Sequence, residues 1–342
     1  ELEHLVGLGV LTHRKGCVQG FLDSVQFGEY VEASANGFTN TLRLKHKKPV
    51  VNLPSTRVLY GVEVRSCLIS RKGKTLLGAD LSALENILKF NFQMPYDPEY
   101  VKSQMSDDFD PHLAIACLGG LLSQDEVNFY KIEKEGFDMS NYDMTEGLKK
   151  LLSMSDDDKK LKIGDISKIR GKGKGTNYSC QYGAGKATVA RTAGVDIKTG
   201  GKLHKAYNDM NWSINKIAES QTVKETSHGK YQLNPLNNIW YRLKTDKDKF
   251  STLVQGSGSY VLDCWLLYLF SLRDSQGYRL GDSGVKLLAS QHDEMICEFD
   301  DGNDSEVKRL CLDALEMVNK VMKLDIPFGC DVQFGKKYSE IH

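Results

Sequence analysis

The sequence predicts an α+β chain, an antiparallel sheet backed by helices and interrupted by a long helical excursion over about residues 91–245. Three observations carry this: an apolar strand running into a helix at 75–90, two strands joined by a tight turn at 285–299, and an amphipathic helix at 304–323. In the first, residues 75–80 are apolar up to Asp80, and 82–90 continue as a helix with Ser82 available as its cap. In the second, 285–291 and 295–299 flank a turn carrying His292, Asp293 and Glu294, which puts three polar side chains at a hairpin tip. In the third, Val307, Leu310, Cys311, Ala314, Val318, Val321 and Met322 share one helical face, the face that would cover a sheet.

Composition narrows the function classes. With 342 residues, 40% of them hydrophobic, the chain can bury one large core or two ordinary ones. Forty-five basic residues balance forty-five acidic ones, so any nucleic-acid surface must come from local segregation. Candidates are Arg43, Lys45, His46, Lys47 and Lys48, and the run from Lys168 to Lys174; acid gathers at 107–110 and 156–158. Eight scattered cysteines without a CxxC pair read as reduced thiols of a cytosolic protein and imply no zinc site. The apolar run 261–272 contains Asp263 and is too short to span a bilayer, so it reads as a buried helix and no membrane partner is expected. An opening Glu1-Leu2-Glu3-His4 reads as a processed or truncated end. Residues 121–165, charged and poor in β-branched side chains, read as an insertion.

The most informative stretch is 170–183. Arg170, Lys174, Tyr178 and Gln181/Tyr182 recur at helical spacing and form one face. At about 1.5 Å per residue, that face runs about 12 Å from Arg170 to Tyr178, the length of a nucleoside triphosphate. Two cations would hold phosphates and the ring would lie against sugar and base. Rival phosphate motifs fail: a Walker-type loop ending at Gly185-Lys186 would need glycine at Cys180 and Ser or Thr at Ala187, and Gly171 and Gly173 are followed by Thr176 where a dinucleotide fingerprint needs glycine. Asp80 and Asp293 both fall at predicted strand or hairpin ends of one sheet. Each alone reads as a turn or cap residue. Together they can hold two Mg²⁺ ions about 3.5 to 4 Å apart.

Asp80-Leu81-Ser82-Ala83-Leu84-Glu85, the block 170–183, and Gln291-His292-Asp293-Glu294, in that order, resemble motifs A, B and C of family A DNA polymerases, the group of bacterial DNA polymerase I and podophage replicases. The resemblance extends to Thr41-Leu42-Arg43-Leu44, Asn52-Leu53-Pro54, Arg65, Asp110-Pro111-His112, Gln255-Gly256 and the terminal His342, and covers most of the chain from about residue 37. It implies a right-hand architecture: a thumb remnant or connector at 1–36, palm at 37–90 and 246–342, and fingers at 91–245. It implies template-directed transfer from a dNTP to a primer 3′-OH with two Mg²⁺ ions, Mn²⁺ being a possible substitute. Asp80, Asp293 and the Leu81 carbonyl would ligate the metals, with Glu294 supporting them. Arg170, Lys174 and His112 would hold the triphosphate, Lys174 also acting as proton donor to pyrophosphate. Tyr178 would stack on the nucleotide and pair with Glu85 to exclude a 2′-hydroxyl; tyrosine at that place also implies ready acceptance of dideoxynucleotides. Tyr182 and Gly183 would abut the template base. Arg43, Gln255 and His292 would contact the primer-template minor groove, although Gly256 and Gly258 leave a loop open as the local alternative at Gln255.

Four departures from the family pattern stand out. Ile87 occupies a place where an arginine is usual. The connection from His112 to Arg170 is long, which sets the 121–165 insertion in the fingers. Gly171, Gly173 and Gly175 each weaken a helix by about 1 kcal/mol, which predicts a helix firm only when nucleotide and template are bound. Too few residues precede Thr41 for a thumb or an exonuclease, so those elements, or a processivity polypeptide, are expected elsewhere. The compact, diverged motifs point to a phage origin and the host cytoplasm. Two alternatives remain open at this level: a single-subunit RNA polymerase, against which Glu85 and Glu294 argue, and a non-catalytic DNA-binding subunit of polymerase fold, against which the retained Asp80, Asp293, Lys174 and Arg170 argue.

Overall fold

A computed structural model describes residues 2–275 and 284–341; His342 lies outside the described residues. In chain order the strands are β1 (Ala35–Phe38), β2 (Leu44–His46), β3 (Lys74–Leu81), β4 (Val223–Thr226), β5 (Gly229–Leu233), β6 (Trp240–Leu243), β7 (Lys286–Gln291), β8 (Glu294–Asp300) and β9 (Cys330–Gly335). The helices are α1 (Leu2–Ser24), α2 (Gly61–Ser66), α3 (Leu84–Gln93), α4 (Pro98–Gln104), α5 (Pro111–Leu118), α6 (Gln124–Glu135), α7 (Glu146–Leu152), α8 (Asp156–Gln181), α9 (Lys186–Ala193), α10 (Ile197–Met210), α11 (Trp212–Ser220), α12 (Lys249–Ser275) and α13 (Asp304–Met322). They divide into two compact units, one made of residues 1–91, 225–242 and 252–342, the other of 92–224 and 243–251.

The first unit carries an antiparallel sheet in the order β7-β8-β3-β9. The central strand β3 is buried from Thr75 to Ala79 and emerges at Asp80. The predicted hairpin is present, but its turn is tighter than expected: Gln291 pairs with Glu294, so only His292 and Asp293 form the turn and Glu294 opens β8. His292 takes a left-handed conformation (φ 58°), as a two-residue hairpin demands. α13 spans the expected residues and buries Val307, Leu310, Cys311, Ala314, Leu315 and Val318. Val321, assigned to that face from spacing, is exposed, one residue before the helix ends at Met322. The run 261–272 lies inside α12, with Val261, Trp265 and Leu269 fully buried and Leu267 exposed. Gln255 sits on this helix too, so the loop alternative fails. Gly256 is there because a Cβ would meet the Tyr241 ring at 2.9 Å.

The second unit is helical, and its core joins Leu113 and Ala116 of α5 to Leu122, Val127, Phe129 and Tyr130, to Leu148 of α7 and to Ile166 of α8. Five of those eight residues belong to the 121–165 stretch read as an insertion, which is therefore woven into the unit. The expected helical excursion ends early: residues 223–243 form the three-stranded sheet β4-β5-β6. Alternation there is short and broken by Asn234, Pro235 and Asn237, which hid it from periodicity. Among the described residues all eight cysteines are free, and no helix is long and apolar enough to cross a membrane.

Candidate functional site

The end of β3 gathers acid. Asp80 pairs in register with Glu294 on β8 and with Asp331 on β9, so three carboxylates stand in one row across three adjacent strands. Asp293 joins them from the turn, where its carbonyl accepts from Leu81 N–H at 3.0 Å and closes the hairpin onto β3. A cavity of about 350 Å³ opens on this row, lined by Asp80, Glu294, Asp331, Gln333, Arg57 and Arg65 among others. Gly78 keeps the strand close to the chain end, since a Cβ there would meet the Ile341 carbonyl at 2.6 Å.

Crowding shows in the acidities. Partial desolvation, reinforced by Asp293 and Asp331, pushes Asp80 up to about 6. Burial, then the charge of Asp80, raises Glu294 to about 8 against the pull of Arg65. Asp293 is raised by burial too, while Arg43 and His292 draw it back. Arg43 itself bonds Glu85 at 2.8 Å. Ser82, expected to cap α3, donates its hydroxyl to Asp331 Oδ2 at 3.2 Å.

In the helical unit the basic face of 170–183 is present on α8. Asp110 caps α5 by accepting from the His112 and Leu113 N–H groups, and its second oxygen takes the Arg170 guanidinium at 2.5 Å. This double use holds Asp110 below the usual carboxylate range despite burial, its largest perturbation. The Lys174 ammonium lies 5.7 Å from the Tyr178 ring centre, and the His112 ring 6.3 Å from it. Lys174 and Tyr178 are exposed, whereas burial, Arg170 and Lys174 together lower His112 below its ordinary value. Tyr182 ends the helix and Gly183 follows at φ 74°, its α-carbon side close to the Lys247 carbonyl.

Arg170, Lys174, Tyr178 and His112 therefore converge within the helical unit, and Asp80, Asp293, Glu294, Glu85, Arg43 and His292 within the sheet-bearing unit. The helix carrying the former is unbroken over 26 residues. Its glycines, read as points of weakness, have a packing role at two of three positions: a Cβ on Gly173 would meet the His112 carbonyl at 2.1 Å, and one on Gly175 would meet Thr192 at 3.3 Å. Gly171 faces open space and keeps no such role. Two residues went unread in the sequence. Asp331 was signalled only by an acid at the second place of an alternating Cys-Asp-Val-Gln-Phe run. Asn177 was hidden beside Tyr178, and it bonds both Pro111 O and His112 Nδ1 at 3.0 Å.

The family model described as DNA polymerase family A matches residues 162–340, slightly more than half of the chain. The chain belongs to DNA polymerase family A. Among curated members, the DNA polymerase I of Borreliella burgdorferi is 23% identical over 259 residues, which is 72% of this chain and 26% of that protein. DNA polymerase theta of Drosophila melanogaster is 25% identical over 186 residues, half of this chain and 9% of that one. The chain thus spans about a quarter or less of the length of these relatives. Among solved structures, the POL domain of Pol1 from M. smegmatis, in complex with DNA primer-template and dNTP, superposes with a TM-score of 0.69 at 16% identity, covering 99% of this chain and 53% of that one. At that identity the likeness is one of fold. The matched range takes in most of α8 and the β7-β8 hairpin, so one family match spans the basic face and the hairpin acids.

Proposed function

We propose that this chain is the palm and fingers of a template-directed DNA polymerase that transfers a deoxynucleotide from dNTP to a primer 3′-OH. The sheet-bearing unit is the palm and the helical unit the fingers. The observation that carries the reading is the carboxylate row at the end of β3, closed by Asp293, in a family A chain.

The donor set suits a hard divalent cation. Asp80, Asp293 and the Leu81 carbonyl offer oxygen only, and the upward push on both aspartates is the strain that a cation relieves. Few protein oxygens suffice for Mg²⁺, an ion that keeps waters and phosphate oxygens in its shell. Asp80, Asp293 and the Leu81 carbonyl would hold two such ions, which would supply Lewis acidity to the attacking hydroxyl and the leaving oxygen. Glu294 supports the aspartates from the neighbouring strand. Arg170, held by Asp110, and Lys174 neutralise the triphosphate; Lys174 hands a proton to departing pyrophosphate; His112 adds a hydrogen bond. Tyr178 stacks on the nucleotide and with Glu85 reads the sugar, Tyr182 and Gly183 meet the template base, and Arg43, Gln255 and His292 touch primer-template DNA. A thumb, exonuclease or processivity polypeptide completes the grip on duplex, since affinity follows the phosphates neutralised.

Primer extension by the purified chain with Mg²⁺ tests this. Deoxynucleotides are incorporated, Asp293→Asn abolishes incorporation, and Tyr178→Phe lowers acceptance of dideoxynucleotides. Preference for ribonucleotides, or full activity in Asp293→Asn, would overturn the reading. Activity that appears only with an added thumb-bearing polypeptide identifies a split enzyme.

A further inference from the structure

The hydrogen positions around His112 can be deduced from one proline carbonyl. Asn177 Nδ2 lies 3.0 Å from Pro111 O and 3.0 Å from His112 Nδ1. A carbonyl oxygen only accepts, so the Asn177 atom facing it is the amide nitrogen, and the orientation of that side chain is fixed. The second hydrogen of the same nitrogen then points at His112 Nδ1, which must accept. A neutral imidazole with an accepting Nδ1 carries its proton on Nε2. We infer that Asn177 is a positioning residue that fixes His112 as the Nε2–H tautomer, so that the ring offers a phosphate one neutral N–H donor.

This deepens the nucleotide-binding reading of the α8 face and rests on it. Protonating His112 at Nδ1 would set N–H against N–H, and turning the Asn177 amide to escape that clash would forfeit the Pro111 bond. Asn177 thereby works with its surroundings. Burial, Arg170 and Lys174 on α8 disfavour the imidazolium, and only Asp110 at the start of α5 favours it. Glu135 on α6 is near enough to feel Asp110 and Arg170, and the Tyr178 ring centre lies 6.3 Å from that of His112. The consequence is a phosphate site with two fixed cations and one neutral donor. The donor orients the anion without adding a third charge that product would have to leave.

The side-chain nitrogen signals of the full chain labelled with ¹⁵N-histidine give the test, His112 being assigned by its loss in His112→Gln. In the wild-type chain the Nε2–H tautomer is expected, with a titration midpoint below that of a free histidine. In Asn177→Asp the carboxylate accepts from Nδ1–H, so the proton moves to Nδ1 and the midpoint rises by about one pH unit. The KM for dNTP rises with it while the unfolding temperature of Asn177→Ala serves as the folding control. An Nδ1–H tautomer in the wild type, or an unchanged midpoint in Asn177→Asp, overturns the inference. Undiminished dNTP binding by His112→Ala, which removes the donor, would instead overturn the phosphate role of His112 and leave the tautomer result standing.

Discussion

Arg43 and Glu85 hold each other: the guanidinium Nη2 donates to the carboxylate Oε1 at 2.8 Å, with 18% and 27% of the two side chains exposed. The resemblance gives one of these residues to the primer and the other to the sugar of the incoming nucleotide. Their pairing joins the two tasks. Gly258 on α12 leaves the space for it, since a Cβ there would come within 3.4 Å of Arg43 Nη2. Arg43 Nε is covered and finds no acceptor among the described residues, so the guanidinium has a donor to spare. In a double-mutant cycle, Arg43→Ala and Glu85→Ala are expected to couple by about 1 kcal/mol in unfolding free energy. Glu85→Ala is also expected to raise ribonucleotide incorporation in primer extension; additivity of the two variants would break the link.

The row Glu294-Asp80-Asp331 crowds carboxyl groups directly opposite one another, and the charge of Asp331 is among the causes that push Asp80 up, a like-charge cost in a sheet. Asp331→Asn should therefore stabilise the metal-free chain by up to about 1 kcal/mol. The same variant should show a smaller rise in unfolding temperature on adding Mg²⁺ than the wild type. Calorimetry with and without the ion reads both. A variant that is destabilised without metal would remove Asp331 from the row's energetics.

Gly173 and Gly171 make opposite predictions within one helix. Gly173→Ala drives a Cβ into the His112 carbonyl, a backbone atom that cannot step aside, so α5 and α8 must separate. A loss of more than about 2 kcal/mol is expected, together with weaker dNTP binding. Gly171→Ala meets nothing and should gain about 1 kcal/mol from helix propensity. Equal effects in denaturant titrations would mean that the glycines act through helix flexibility after all.

Lys89 on α3 is 8% exposed, and burial lowers it to about 8. Its folded value is below the unfolded 10.5, so between the two the unfolded chain binds the extra proton and stability rises with pH. The gain approaches 3 kcal/mol as an order of magnitude. Lys89→Met should flatten the wild-type rise in unfolding free energy between pH 8 and 10. A variant that keeps the slope would assign it to another group.

The sequence made the chemistry legible where function writes residue types in short blocks. Asp80 stands at the end of β3, Asp293 in the β7-β8 turn, Arg170, Lys174 and Tyr178 along α8, and His112 at the start of α5, each in the kind of element expected from its short block. What stayed hidden depends on pairing in three dimensions. Asp331 matters because β9 lies in register beside β3, and strand order and register are not written in either strand alone. Ser82 looked like a cap because the partner that claims its hydroxyl is 249 residues away. The glycines of α8 looked like defects because a single helix cannot show what it packs against. Three short strands at 223–243 escaped because their alternation is too brief to outweigh the turn residues between them.

α8 is one rod of about 39 Å, and its two ends are held differently. Near its start Lys159 and Lys162 are tied to Glu133 and Glu126 of α6, and toward its end it carries Arg170, Lys174 and Tyr178. A helix without a break cannot turn at one end alone. Any rotation that brings the tyrosine toward a nucleotide must swing α6 and its neighbours through the same angle, as the long arm of a lever. On the proposed reading of the α8 face, the 121–165 stretch is thereby a handle on nucleotide selection: an antibody or designed protein that pins α6 is expected to slow primer extension without touching the substrate.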